Sequence, residues 1–169
     1  MLKLSKKVEY ALLAAQYLSA KDEDSLATAK QMAQELNISF EFLSKCLQLM
    51  MKKNIIKSQQ GIKGGYYLTN EPENISLWDI VTAIDEKVGI VECTLHTNSD
   101  DGCEREDSCE IRDPMIIIQK KINNIFKTTT LKDISAGYSN GNTNVSENFI
   151  AINNGMNNKE ISKKEISHE

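Results

Sequence analysis

The stretch "IIKSQQGIKGGYYLTN", residues 55–70, decides how this chain folds. Two apolar, strand-prone ends, Ile55-Ile56 and Tyr66-Tyr67-Leu68, flank a loop holding Gly61, Gly64 and Gly65. Glycine reaches positive φ without steric cost, so this loop can reverse tightly and lay its two ends side by side as a hairpin. A nucleotide-binding loop is the rival reading. The glycine spacing fits neither nucleotide-loop pattern, and a strand follows where that motif needs a helix.

Upstream, "SKKVEYALLAAQYLSA" places Val8, Leu12, Ala15 and Leu18 on one helical face, with Lys6, Lys7 and Glu9 between them. Thr28 and Gln31 have capping-box spacing and open a helix of about nine residues with Ala29, Met32, Ala33 and Leu36 inward. Asn37 can adopt the left-handed conformation that ends it. Ser39 can cap a third helix, "FEFLSKCLQLMMKKN", with Leu43, Leu47 and Met50 inward. Two short helices joined by a tight turn form a helix-turn-helix, whose second helix enters the DNA major groove N-terminus first. On that geometry Phe40, Glu41, Ser44 and Lys45 face base edges. A plain helical hairpin is the alternative, and the glycine-rich hairpin that follows weakens it, because together they read as a winged helix. The glycines leave Lys63 free to approach a phosphate or a minor groove.

Downstream, Ser76 and Asp79 cap "SLWDIVTAID", whose Leu77, Ile80, Val81 and Ile84 should pack on the winged-helix core. Asp113 and Pro114 predict the start of a longer helix, "DPMIIIQKKINNIFKTTT". Its Met115, Ile118, Ile122 and Ile125 step like a two-helix coiled-coil seam, which a second copy or the chain's own domain could cover. From Ser135 onward eight asparagines with Gly, Ser and Lys read as a disordered tail. The fold class is therefore mainly α with a small β-hairpin wing. The organisation reads as a winged helix-turn-helix with its packing helix over 1–87, a cysteine-rich loop over 88–112, a dimerisation helix over 113–134 and an Asn-rich tail over 135–169.

The net charge of -4 hides an asymmetry. Residues 1–70 carry ten lysines and six acids, whereas residues 71–169 carry the other ten basic groups and eighteen acids. A basic front half is compatible with nucleic acid even in an acidic chain. The segment "MLKLSKKVEY" lacks the apolar run of a secretory signal, and no stretch approaches the roughly 20 apolar residues of a membrane span. The chain reads as cytoplasmic, with no membrane partner. No catalytic constellation is visible, so it does not read as an enzyme.

Three of the four cysteines, Cys93, Cys103 and Cys109, fall in the acidic loop "CTLHTNSDDGCEREDSC". In a reducing compartment clustered thiols more often hold metal or do redox chemistry than form structural disulfides. Their intervals match no CxxC zinc knuckle, and a loop around a larger inorganic group tolerates long polar spacings. An iron-sulfur cluster is the leading reading, with zinc or a cofactor-free thiol switch as alternatives. Three thiolates leave a fourth position, for which His96 and Glu9 are candidates. Cys46 reads as a buried core thiol.

The combination of "KLSKKVEYALLAA", "LSKCLQLMMKKNIIKS", "GIKGGYYL", "SLWDIVTAID" and a three-cysteine loop before a long helix resembles the Rrf-two family of bacterial winged-helix regulators, with its IscR-like and NsrR-like iron-sulfur repressors. The resemblance covers about residues 1–134. It implies a homodimer on a palindromic operator in double-stranded promoter DNA, regulating transcription through a cluster held by Cys93, Cys103 and Cys109. It implies Glu9 of a partner subunit as the fourth ligand; of the cluster types 2Fe-2S is favoured and 4Fe-4S is the alternative. The implied DNA-contacting set is Lys6, Lys7, Ser39, Phe40, Glu41, Ser44, Lys45, Gln60, Lys63 and Gly64. Three departures stand out, and one is the Cys93 to Cys103 interval, longer than is usual in the family, which leaves the loop conformation and the cluster nuclearity open. Arg112 occupies the place of the histidine ligand of IscR-like members, and Gln60 that of a base-reading wing arginine.

Overall fold

The computed structural model describes residues 3–21, 26–61, 63–85, 88–91 and 108–135. The elements run α1 (Lys6–Ser19), α2 (Ala29–Glu35), α3 (Phe40–Lys52), β1 (Ile56–Gln59), β2 (Gly65–Leu68), a 3-10 turn (Pro72–Asn74), α4 (Leu77–Ile84), α5 (Arg112–Thr128) and α6 (Leu131–Ser135). This is the mainly helical fold with a hairpin wing that the residue pattern predicts.

Helix α1 starts where the Ser5 hydroxyl accepts the Val8 N–H at 3.3 Å. Its buried face is Val8, Ala11, Ala14, Ala15, Tyr17 and Leu18, and the small alanines let α3 pack close. The Thr28 and Gln31 capping box forms as predicted, though α2 runs seven residues rather than nine. Asn37 takes the left-handed turn at φ 52, and α3 buries Leu43, Cys46, Leu47 and Met50. Full burial of each large apolar side chain contributes about 1.5–3 kcal/mol, so this stripe fixes α3 against α1. Ser39 does not cap α3 as predicted. Its hydroxyl donates to Glu41 Oε2 at 2.5 Å and accepts no helix N–H.

A second left-handed residue, Asn54 at φ 57, turns the chain from α3 into β1. The hairpin pairs antiparallel in register, Ile56 with Leu68 through Gln59 with Gly65. Ala27 adds a third rung: its N–H donates to Tyr66 O at 3.2 Å, and Tyr66 N–H donates back at 2.8 Å. Gly65 is required there, since a Cβ would come within 2.9 Å of the Ala27 backbone.

Helix α4 carries the predicted Ser76 and Asp79 capping box and buries Ile80, Val81, Ala83 and Ile84 in the same core as α1 and α3. Helix α5 departs from expectation. Ile111 occupies its cap with no side-chain bond, and Asp113 and Pro114 lie inside the first turn. The single long helix expected there is two: α5 ends at Thr128, Leu131 N–H donates to Ile75 O at 2.8 Å, and Thr130 with Asp133 caps α6. Helix α6 lies on α1, where Gln16 Nε2 donates to Ile134 O at 2.9 Å. Of the predicted seam, Ile118 and Ile125 face outward while Met115 and Ile122 are half-buried, and Ile111 and Ile117 extend the outward ridge. Among the described residues no helix is long and apolar enough to cross a membrane.

Candidate nucleic-acid interface and thiol segment

The turn at Asn37 and the buried stripe of α3 force the opposite face of that helix outward. Phe40, Glu41, Phe42, Lys45, Gln48 and Lys52 are exposed on it. The Ser39 hydroxyl bond, followed by Glu41's own backbone N–H, holds the Glu41 carboxyl below the usual carboxylate range, so it stands at the leading end of α3 as an ionised acceptor. Ser44 departs from its predicted role: its Oγ is buried, turned away from solvent. Phe42 was not predicted. Its exposure follows from its place one residue before Leu43, a position the inward stripe alone would have flagged.

In the wing, Gln60 and Lys63 are exposed as predicted. Gly61 has φ +126, a conformation that L side chains rarely adopt. Gly64 is packed against the strand it leaves, because an added Cβ would lie 2.4 Å from Gln59 O. The tip is thus held narrow by backbone geometry and presents Lys63 at its edge.

At the start of α1, Lys6 Nζ pairs with Glu9 Oε2, and that hydrogen bond raises the lysine above its ordinary range. Both groups are open to solvent, so the pair is weak and exchangeable. Lys7 borders a groove of about 410 Å³ together with Phe42, Lys45, Leu49 and Lys52 of α3. Its carbonyl accepts Cys46 Sγ at 3.5 Å, which ties α1 to the underside of α3. Burial pushes the Cys46 thiol up, with Lys7 as a lesser opposing influence. That thiol sits in the core, as predicted.

Of the loop thiols, Cys109 is half-buried, unbonded to another sulfur, and sits just before α5, where Arg112 N–H donates to its carbonyl at 3.2 Å. Cys93, His96 and Cys103 lie outside the described residues, as does the predicted tail beyond Ser135. Among the described residues no three histidine, cysteine or acidic side chains gather as a metal site. The run into the loop is anchored: Ile90 N–H donates to Gln119 Oε1 at 2.7 Å, and Gln119 Nε2 donates to Asn123 Oδ1 at 2.6 Å. Gln119 is the buried residue of α5, and no signal in the sequence marked it. A partly exposed thiol ahead of a helix is a donor of the kind an iron-sulfur cluster takes.

Over residues 4–137 the chain matches the family described as "Rrf2: Iron-dependent Transcriptional regulator". An HTH-type transcriptional regulator of Aquifex aeolicus is 30% identical over 132 residues, covering 77% of this chain and 89% of its own. The HTH-type transcriptional regulator NsrR of Halalkalibacterium halodurans is 28% identical over 134 residues, covering 79% and 90%. The solved structure of CymR (YrzC), the global cysteine regulator of B. subtilis, is similar at a TM-score of 0.65 and 28% identity, covering 80% of this chain and 98% of that one. These relatives regulate transcription and are not enzymes.

Proposed function

Because the chain belongs to the Rrf2 family of transcriptional regulators, we propose that it is a homodimeric DNA-binding repressor whose loop thiols hold an iron-sulfur cluster and make operator binding depend on it. The observation that carries the proposal is the pairing, in one chain, of a lysine-bearing helix-turn-helix and wing with three thiols in an acidic loop. In this reading Phe40, Glu41 and Lys45 reach base edges. Lys6, Lys7 and Lys63 meet phosphates, while Ser39, Gln60 and Gly64 line the contact. A palindromic operator would present its half-sites about one helical turn, near 34 Å, apart. The outward ridge Ile111, Ile117, Ile118 and Ile125 is the surface a second copy would cover.

Cys93, Cys103 and Cys109 of one subunit would supply three ligands and Glu9 of the partner subunit the fourth, with His96 the alternative. When bound, a cluster supplies redox- and gas-reactive iron chemistry at that point. The chain's own part is mechanical. Glu9 lies in the first turn of α1, whose cap Ser5 donates to Asp85 Oδ2 at 2.8 Å, at the end of α4 where the chain leaves for the thiol segment. Taking Glu9 from Lys6 into the other subunit's site therefore acts on a helix that is tied, in its own chain, to the start of a thiol segment, so the two sites of the dimer are linked. A coupling of about 1–3 kcal/mol between the two sites would change operator affinity about 5- to 150-fold.

A second reading keeps the DNA binding and makes the thiols a cofactor-free switch. The likeness to a structure titled as a global cysteine regulator favours it. Anaerobic purification followed by iron and sulfide analysis and visible absorption separates the two. Iron and sulfide in equal amounts support the cluster. A colourless, iron-free protein after reconstitution, forming a Cys93 to Cys109 disulfide with peroxide, supports the switch.

A further inference from the structure

Phe40 and Phe42 are 51% and 52% exposed, and they are two of the four phenylalanines in the chain. Both stand on the first turn of α3. Aromatic rings left in water at the leading end of a helix mark a contact surface. Successive helical residues are about 100° apart, so the two rings leave α3 on opposite flanks with Glu41 between them. Each ring borders a groove with an apolar floor and a cationic rim. Phe40 shares about 420 Å³ with Ala33, Ile38 and Lys30. Phe42 shares its groove with Leu49 and with Lys7, Lys45 and Lys52.

An ammonium rim suits phosphates, and an apolar floor suits something uncharged just inside them. The major-groove edge of DNA offers one apolar group for this, the C5 methyl of thymine. We infer that Phe40 and Phe42 are specificity-determining residues that take thymine methyl groups on the two sides of α3, an inference that rests on α3 being the DNA-reading helix. The ionised Glu41 between them is matched to the amino group of cytosine, the donor that the same edge provides. The half-site so described has thymines flanking the base pair at the helix tip.

The test uses a duplex selected by the full-length protein from a randomised library, with each thymine then replaced singly by deoxyuridine, which removes the methyl and nothing else. At the flanking positions the dissociation constant of the wild type rises about fourfold per methyl, the ratio for burying one such group. Phe42→Ala abolishes that dependence at one set of positions and Phe40→Ala at the other, while Phe42→Leu and Phe40→Leu, which keep an apolar contact, retain it. Unchanged circular dichroism and an unchanged salt slope show that the alanine variants keep the head folded. Uracil duplexes that bind within 1.5-fold of the parent everywhere overturn the inference, and a dependence that survives in one alanine variant overturns it for that ring. Failure to select any duplex overturns the DNA-reading role itself, a different result from a duplex that binds but ignores its methyls.

Discussion

The Ser5 hydroxyl donates to Asp85 Oδ2 at 2.8 Å, joining residues 80 positions apart. One hydroxyl thereby serves two elements, since it also accepts the Val8 N–H that starts α1. Ser5→Ala removes both bonds. Loss of an N-cap costs about 0.5–2 kcal/mol, and each kcal/mol lowers the melting temperature by about 2–4 °C in a chain of this size. Ser5→Thr, which keeps the hydroxyl, should recover most of the loss in a calorimetric scan. Equal melting of Ser5→Ala and wild type would remove the linkage from the account.

Gln119 offers a second anchor for the same segment. Replacing it by leucine leaves the part-buried Ile90 N–H without its acceptor, a loss of about 0.5–1.5 kcal/mol. Hydrogen exchange at Ile90 should accelerate correspondingly in Gln119→Leu, with exchange in α3 unchanged. Acceleration throughout the chain would show global unfolding instead.

Much of this architecture was legible in the residues. Capping boxes at Thr28 and Ser76 are local, because the side chain and the N–H it accepts lie three positions apart, and both formed as read. The inward stripe of α3 and the left-handed Asn37 are local in the same sense. What escaped depends on distant partners. The rung between Ala27 and Tyr66 and the buried Gln119 are each decided by a partner far along the chain that periodicity does not reveal. The break between α5 and α6 belongs here too, because it follows from Ile75 accepting the Leu131 N–H. For the candidate site, residue types and spacing pointed to Lys45 and Lys63, which are exposed, and to Cys109, which is half-buried ahead of α5. They misplaced the Ser44 hydroxyl, because an intermediate position between the two faces of α3 does not say which way Oγ turns.

Cys46 predicts an alkaline weakness. Burial raises its pKa in the folded chain, so the folded state favours the neutral thiol. The stability this gives is complete below the ordinary thiol value of about 8.5 and is lost as pH rises through the elevated folded value. Urea titrations at pH 7 and pH 10 should show a larger drop for the wild type than for Cys46→Ala. Equal drops would mean that the thiol is not held in its protonated form.

Lysines of the DNA face should reveal themselves through salt. Each phosphate contact contributes about 0.9 to the slope of log affinity against log salt. Lys45→Ala and Lys63→Ala should each lower the slope by about one. Lys132→Ala, on α6 and paired with Glu73 at 3.4 Å, should leave it unchanged. A slope unaltered by all three would place the phosphates elsewhere.

The most direct test compares operator affinity for anaerobic, iron-loaded protein and metal-free protein, in the wild type and in the Cys93→Ser, Cys103→Ser, Cys109→Ser triple variant. The account predicts a 5- to 150-fold difference between the two wild-type forms, a range set by about 1–3 kcal/mol of coupling, and no difference in the triple variant. Equal affinity of loaded and metal-free wild type, or a difference that persists without the three sulfurs, would contradict it.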